Sequence, residues 1–374
     1  MSSLPAASAD RRRDPEPEPA AVSDNAFQDY LLQGVSRTFA LTIPQLPPAL
    51  ARTVGNAYLL CRIVDTIEDE PDLDTARKRR FCERFTGVVA GAVAPEDFAA
   101  ELHPLLSERT LPAERELIAE TPLVMRINRG FNPARREAIE ICVRIMAEGM
   151  AEFQEKRSAH GLERLVNLDR YCYYVAGVVG EMLTRLFCDY SPAIARHRDE
   201  LMELSVSFGQ GLQMTNILKD VWDDRERDVC WLPREVFDAS GFDLAQLQPG
   251  RYQPGFGAGL GRLIGVAHGH LKDALAYTLL IPPEETGIRN FCLWALGMAV
   301  LTLRKINRHR DFRSGREVKI SRRSVKATIL ATRLTVRHDR MLRSLFYLAG
   351  HGLPRGSATP VAGRGRAGAG AHRG

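Results

Sequence analysis

The 374-residue chain contains no CxxC pair and no cysteine–histidine spacing of the metal-binding kind, which argues against zinc-site and thioredoxin-type chemistry. Its seven cysteines, Cys61, Cys82, Cys142, Cys172, Cys188, Cys230 and Cys292, fall singly. Several lie inside apolar helical runs, where a thiol behaves as a small core residue, so a reducing, cytoplasmic setting is expected. The opening stretch MSSLPAASADRRRDPEPEPA has no apolar segment of the secretory kind. The longest apolar run, Phe291–Leu303, is too short to span a bilayer and reads as a buried core helix. No segment sustains the period-two alternation of a strand, and no repeat of fixed period recurs. The formal net charge is +5, but the basic residues gather towards the ends, so no nucleic-acid partner is inferred.

Two stripes of polar side chains stand out within this apolar background. In Gln213–Pro233, Gln213, Asn216, Asp220 and then Asp223 or Asp224 recur at spacings of three and four, which places them on one helical face. In NAYLLCRIVDTIEDE, Tyr58, Arg62, Asp65 and Asp69 are spaced four, three and four, with Glu68 beside them. Burying such a stripe is costly unless cations share the charge. Magnesium takes hard oxygen ligands and binds through a few carboxylates plus substrate phosphates. Two carboxylate helices facing each other would therefore hold a diphosphate through metal ions. Each stripe alone reads equally well as a solvated face; the pair, embedded in apolar sequence, does not.

The rest of the chain reads as helix. Helices are expected over 25–34, 49–70, 75–90, 135–156, 162–187, 197–225, 259–280, 288–305 and 321–347, with loop and short helix over 91–120 and a basic loop over 315–319. Ala176, Gly177 and Gly180 are small residues in an otherwise apolar helix, where glycine costs up to about 1 kcal/mol; they imply close approach of a ligand or of another helix. Residues 1–24 are expected to be a disordered tail, 25–350 one catalytic domain, and 351–374 a disordered Gly/Arg/Ala-rich tail. The expected architecture is all-α, a single-domain helical bundle around a central cavity.

Four stretches resemble the squalene/phytoene synthase family, within the class I isoprenoid synthases. SRTF at 36–39, YLLCRIVDTIEDE at 58–70, YCYYVAGVVGEMLTRLF at 171–187, and QMTNILKDVWDD followed by WLP match its motifs, and the likeness runs from about Phe27 to Phe346. NFCLWALGMAVLTLRKI and EVKISRRSVKATI resemble the squalene-forming branch. Neither aspartate motif reads DDxxD, which disfavours a head-to-tail elongase.

The resemblance implies head-to-head condensation of two farnesyl diphosphates to presqualene diphosphate, then NADPH-dependent reduction to squalene. The alternatives are a synthase that stops at presqualene diphosphate or forms dehydrosqualene or phytoene, and a silent prenyl-lipid-binding protein. By resemblance, Asp65, Glu68, Asp69, Asp220, Asp223 and Asp224 would hold Mg2+ (or Mn2+), and Tyr171 would shuttle a proton or stabilise a cation. Ser36, Arg37, Phe39, Tyr58, Arg62, Gln213, Asn216 and Phe291 would contact substrate. Arg37, Arg62, Lys219 and Lys319 would reach the phosphates of NADPH, and without a GxGxxG segment inside the expected domain that site is not expected to be a Rossmann fold. The sequence departs from the family at Lys219, where arginine is usual, at Asp223, where glutamate is often found, and at Ala295 and Ser321. Arg225 and Arg227 stand out of register with the usual arginine and receive no role. No C-terminal membrane anchor is read, so the expectation is a monomer, cytoplasmic or peripherally attached to a membrane.

Overall fold

The computed structural model describes residues 23–36, 38–155 and 158–356; the two expected tails lie largely outside these. The helices that build the site are numbered here in chain order: α1 (Asp24–Val35), α2 (Pro48–Asp69), α3 (Thr75–Val89), α4 (Pro133–Glu155), α5 (Leu165–Cys172), α6 (Val178–Tyr190), α7 (Arg198–Lys219), α8 (Val221–Arg225), α9 (Pro254–Leu280), α10 (Thr286–Arg308), α11 (Arg322–Thr335) and α12 (Asp339–Ala349). Other short helices join them. Among the described residues there is no strand, only an isolated bridge between Leu162 and Pro233. At the C-terminal end the packed chain continues past residue 350, since Leu353 is buried.

Local chemistry sets the helix ends. Pro48 opens α2, where its missing N–H costs nothing. Asp74 caps α3 by accepting from the Arg77 N–H at 2.8 Å, and Ser321 caps α11 by accepting from Ser324 N–H at 3.1 Å. The apolar face of α2, including Leu60, Ile63, Val64 and Ile67, is fully buried, so the opposite face, with Asp65 and Asp69, is left for the cavity. Helix α7 runs through the middle of the bundle against α6, α9 and α10.

The small residues of the tyrosine motif serve helix contact. A Cβ on Gly180 would lie 2.1 Å from the Ser205 carbonyl oxygen, and one on Gly209 would lie 2.0 Å from that of Ala176. Neither distance leaves room for a methyl group, so α6 and α7 touch backbone to backbone.

Three expected elements are divided or changed. The 162–187 helix is interrupted by a π-turn at Tyr173–Gly177, where the Val178 N–H donates to the Tyr173 carbonyl, an insertion that re-aims the side chains around it. The 197–225 helix breaks at Asp220, whose φ of −98° and ψ of 13° leave the helical range. Just beyond, the buried Trp222 indole donates to the Phe312 carbonyl at 2.7 Å, a tertiary bond that a local pattern does not reveal. The 321–347 helix is two helices, α11 and α12. Fully buried Arg289 sits against that break: its guanidinium takes the carbonyls of Ile281 at 2.7 Å and Val336 at 2.9 Å, and the Asp339 carboxylate at 2.7 Å. A buried cation needs such acceptors, and two of them come from the junction of α11 and α12. Residues 315–318, expected as loop, form a short helix.

Gly180→Ala is expected to lower the unfolding free energy by about 3 kcal/mol, the upper range for overpacking. Equilibrium denaturation checks this, and an unchanged midpoint would refute the backbone contact of α6 with α7.

Candidate active site

The last turn of α2 and the α7–α8 junction face one another across a cavity of about 480 Å³. All six carboxylates of the two stripes, Asp65, Glu68, Asp69, Asp220, Asp223 and Asp224, line it, together with Arg62, Gln213, Asn216, Lys219 and Tyr171. Met150, Val175, Ile217, Val229 and Trp231 supply apolar wall. The break at Asp220 does not scatter the second stripe; α8 carries Asp223 and Asp224 back to the same cavity.

Cations and amides hold these acids in place. Arg227 donates to Asp224 at 2.8 Å and to Asp69 at 3.4 Å, so a single guanidinium joins the two stripes. Lys219 pairs with Asp220 at 3.1 Å. Arg62 lies 3.6 Å from Asp65 and is hydrogen-bonded to Glu114. The Gln154 amide donates to Glu68 at 2.9 Å, and Lys78 donates to the Glu68 carbonyl.

Confinement still raises the proton affinity of the acids. Burial above all, reinforced by Asp69 and Glu114, pushes Asp65 up to about 7 against the pull of Arg62. Burial, with Asp69 and Asp65, pushes Glu68 up to about 8. Asp224 is pushed up to about 6, again by burial, despite Arg227, and Asp220 is also raised by burial. Tyr171 stacks on Trp231 with ring centroids 3.9 Å apart and planes 11° from parallel, and packs against Phe153 at 5.3 Å. Burial and the nearby Glu68 carboxylate hold its phenol well above the ordinary tyrosine range, so it is a neutral O–H at the cavity wall.

Other expected contacts lie elsewhere. Phe39 and Tyr58 pack with ring centroids 4.8 Å apart and planes tilted by 39°, and Ser36 accepts from the Phe39 N–H at 3.0 Å; none of the three lines the cavity. Phe291 is buried edge-on against Phe187 at 6.2 Å and does not line it either. Lys319 is likewise absent from the wall, its carbonyl taken by Lys305 at 2.7 Å, although its segment comes close: a Cβ on Gly315 would lie 3.0 Å from an Asp220 oxygen. Arg37 lies outside the described residues. Sequence reasoning missed Glu114, Gln154 and Trp231 as members of the site and left Arg227 without a role. The i,i+3 spacing of Asp224 and Arg227 was a signal for the last, and Trp231 stands in the WLP segment that carried the family likeness; nothing local marks Glu114 or Gln154.

The donor set suits magnesium in one specific way. Among the described residues no three of His, Cys, Asp and Glu converge closely enough to hold an ion by themselves. Paired, hard-oxygen carboxylates around an open cavity match an ion that completes its shell with substrate phosphates and water.

A family model described as squalene/phytoene synthase matches residues 32–324. The chain belongs to the squalene/phytoene synthase family. It is 28% identical over 278 residues to a squalene synthase of Eremothecium gossypii, covering 73% of this chain and 60% of that one. It is 29% identical over 332 residues to a squalene synthase of Saccharomyces cerevisiae, covering 84% and 69%. The chain thus spans about three fifths to two thirds of the length of these curated relatives. Among solved structures, TcSQS in complex with a ligand superposes with a TM-score of 0.70 at 25% identity, covering 87% of this chain and 91% of that one. A dehydrosqualene synthase shares the fold with a TM-score of 0.61 at 20% identity, over 87% and 96%. The family's all-α isoprenoid synthase fold, expected from the motifs, is the fold of this chain.

The raised carboxylates carry a sign for stability. Between about pH 4 and pH 8 the native state holds protons that the unfolded chain has released, so metal-free protein loses stability as pH rises through that window. Melting temperatures in chelator are expected to fall from pH 5 to pH 8, and Asp65→Asn/Glu68→Gln is expected to flatten the slope. A melting temperature that rises with pH would refute the assignment.

Proposed function

We propose that this protein is a squalene synthase, condensing two farnesyl diphosphates head to head into presqualene diphosphate and reducing that product to squalene with NADPH. The observation that carries the reading is the meeting of both carboxylate stripes around one cavity that also has an apolar wall. Ionising an allylic diphosphate separates a diphosphate anion from a carbocation, and the cavity offers polar and apolar wall to the two.

Asp65, Glu68, Asp69, Asp220, Asp223 and Asp224 would hold Mg2+, or Mn2+ in its place; the bound ions supply positive charge that stabilises the departing diphosphate. Arg62, Lys219 and Arg227, now paired with carboxylates, would exchange part of that pairing for phosphate oxygens. Gln213 and Asn216 would orient phosphate or metal-bound water. Met150, Val175 and Ile217 exclude water from the carbocation. In the first half-reaction one C–O bond breaks, carbon–carbon bonds form, and a proton is lost on closing the cyclopropane. Tyr171, a neutral phenol stacked on Trp231, would pass that proton on or face the cation; the released diphosphate is the other acceptor. In the second, the remaining C–O bond would break, and NADPH, when bound, would supply the hydride. Arg62 and Lys219 are the residues of the wall suited to its phosphates. The substrate assignment follows the family, as does the expectation of a monomer working at or near a membrane surface.

A second reading, a synthase that ends at presqualene diphosphate or dehydrosqualene, draws on the position of Lys319 away from the cavity wall. Incubation with farnesyl diphosphate and magnesium separates the two: squalene only with NADPH supports the full reaction, and the same product with or without NADPH supports the shorter one. Absence of product from farnesyl diphosphate overturns both.

Asp65→Ala and Asp220→Ala are each expected to lower turnover at least about 100-fold, the scale of losing transition-state charge stabilisation, with the helical circular-dichroism spectrum intact. Near-native turnover by either would remove the metal assignment. Tyr171→Phe is expected to fold and lose product; unchanged turnover would take Tyr171 out of the mechanism.

A further inference from the structure

Far along the chain from the acids, α11 and α12 lie over α10, a long helix with an apolar central stretch, without covering it completely. Between them remains an apolar cleft of about 240 Å³, floored by Leu296 and Val300 and walled by Ala327, Ala331, Leu345 and Phe346. Leu330 and Leu334 are three residues beyond Ala327 and Ala331, and Leu348 is three beyond Leu345, so helical spacing puts them beside the cleft. Leu330, Leu334, Tyr347 and Leu348 are 61–71% exposed. Four exposed large apolar side chains on two adjacent helices are unusual for a surface in contact with water alone.

The charged residues interleaved with them are almost all cationic. Across residues 321–356 there are eight Lys and Arg and one acid, Asp339, and that acid is paired with the buried guanidinium of Arg289 at 2.7 Å. Arg323, Lys326, Arg337, Arg340 and Arg343 are exposed. The sequence that follows, 357–374, adds three more arginines and no acid. A helix pair with exposed leucine and tyrosine among arginines has the composition of an interfacial membrane surface, each cation near an anionic leaflet adding roughly 1 kcal/mol of attraction. A second copy of the chain would bring the same excess of positive charge to the contact, which opposes self-association through this face. The apolar half of the surface has no counterpart on a polyanion.

We propose that the α11–α12 pair is the surface on which this protein docks to an anionic lipid bilayer, with Arg323, Lys326 and Arg340 at the headgroups and Leu330, Leu334 and Leu348 in the acyl boundary. The cleft over α10 then opens towards hydrocarbon, a place for an acyl or isoprenoid chain. The proposal stands on this surface and does not depend on the reaction assigned to the cavity.

Flotation of the full-length protein with phosphatidylcholine vesicles, with and without about one-third phosphatidylglycerol, tests it. Partitioning is expected to be at least tenfold stronger on the anionic vesicles and to weaken with salt. Leu334→Glu/Leu348→Glu and, separately, Arg323→Glu/Lys326→Glu are each expected to reduce it at least tenfold while melting temperature and helical content stay unchanged, since all four side chains are exposed. Equal binding to neutral vesicles, no binding, or binding that survives both double variants overturns the proposal. So does a wild-type dimer, seen by sedimentation, that the leucine double variant converts to monomer, because the face would then be a self-interface.

Discussion

The organising constraint is the burial of like charges. The end of α2 and the α7–α8 junction bring six carboxylates to a shared space that is partly closed to water. Burial first, and the neighbouring acids after it, raise their proton affinity, and the fold contains them with Arg227 between the stripes, Lys219 beside Asp220, and Arg62 beside Asp65. The same strain makes the place receptive to added positive charge. A divalent ion carrying a diphosphate would relieve the repulsion and release the arginines to bind phosphate, so the feature that costs stability is the one suited to chemistry.

Holding two such stripes at a fixed separation requires a stiff frame. The backbone contact of α6 with α7 at Gly180 and Gly209 and the burial of the whole inner face of α2 supply it. Interiors packed at this density transmit displacement rather than absorb it, which links glycines outside the cavity to the geometry of the acids. The π-turn at Tyr173–Gly177 follows directly on the stretch that carries Tyr171 against Trp231, so the aromatic wall and the tight helix contact are set within a few residues of each other.

Where sequence reasoning failed, long-range partners were responsible. A period of three and four marked Asp65, Asp69, Asp220 and Asp224 as a stripe, and the structure puts all of them in one cavity. Ser36, Phe39 and Tyr58 carried motif resemblance, yet they pack on one another away from that cavity. Gln154 and Glu114 reach the site from other helices, and their neighbours in sequence give no sign of it. Beside the breaks at Asp220 and after Thr335 lie bonds to partners far along the chain, Phe312 at the first and Arg289 at the second.

Sequence alone determined the helical class, the two acid stripes and the family, because each is written in residues a few positions apart, and helical periodicity and motif spacing are local properties. Tertiary structure decided which acids share a cavity, that Arg227 joins them, that Phe291 and Lys319 do not line it, and that α10 keeps an uncovered apolar face. Those outcomes depend on how helices separated by tens to hundreds of residues lie against each other. That arrangement is set by the summed burial of side chains across the bundle, which no short window of sequence contains.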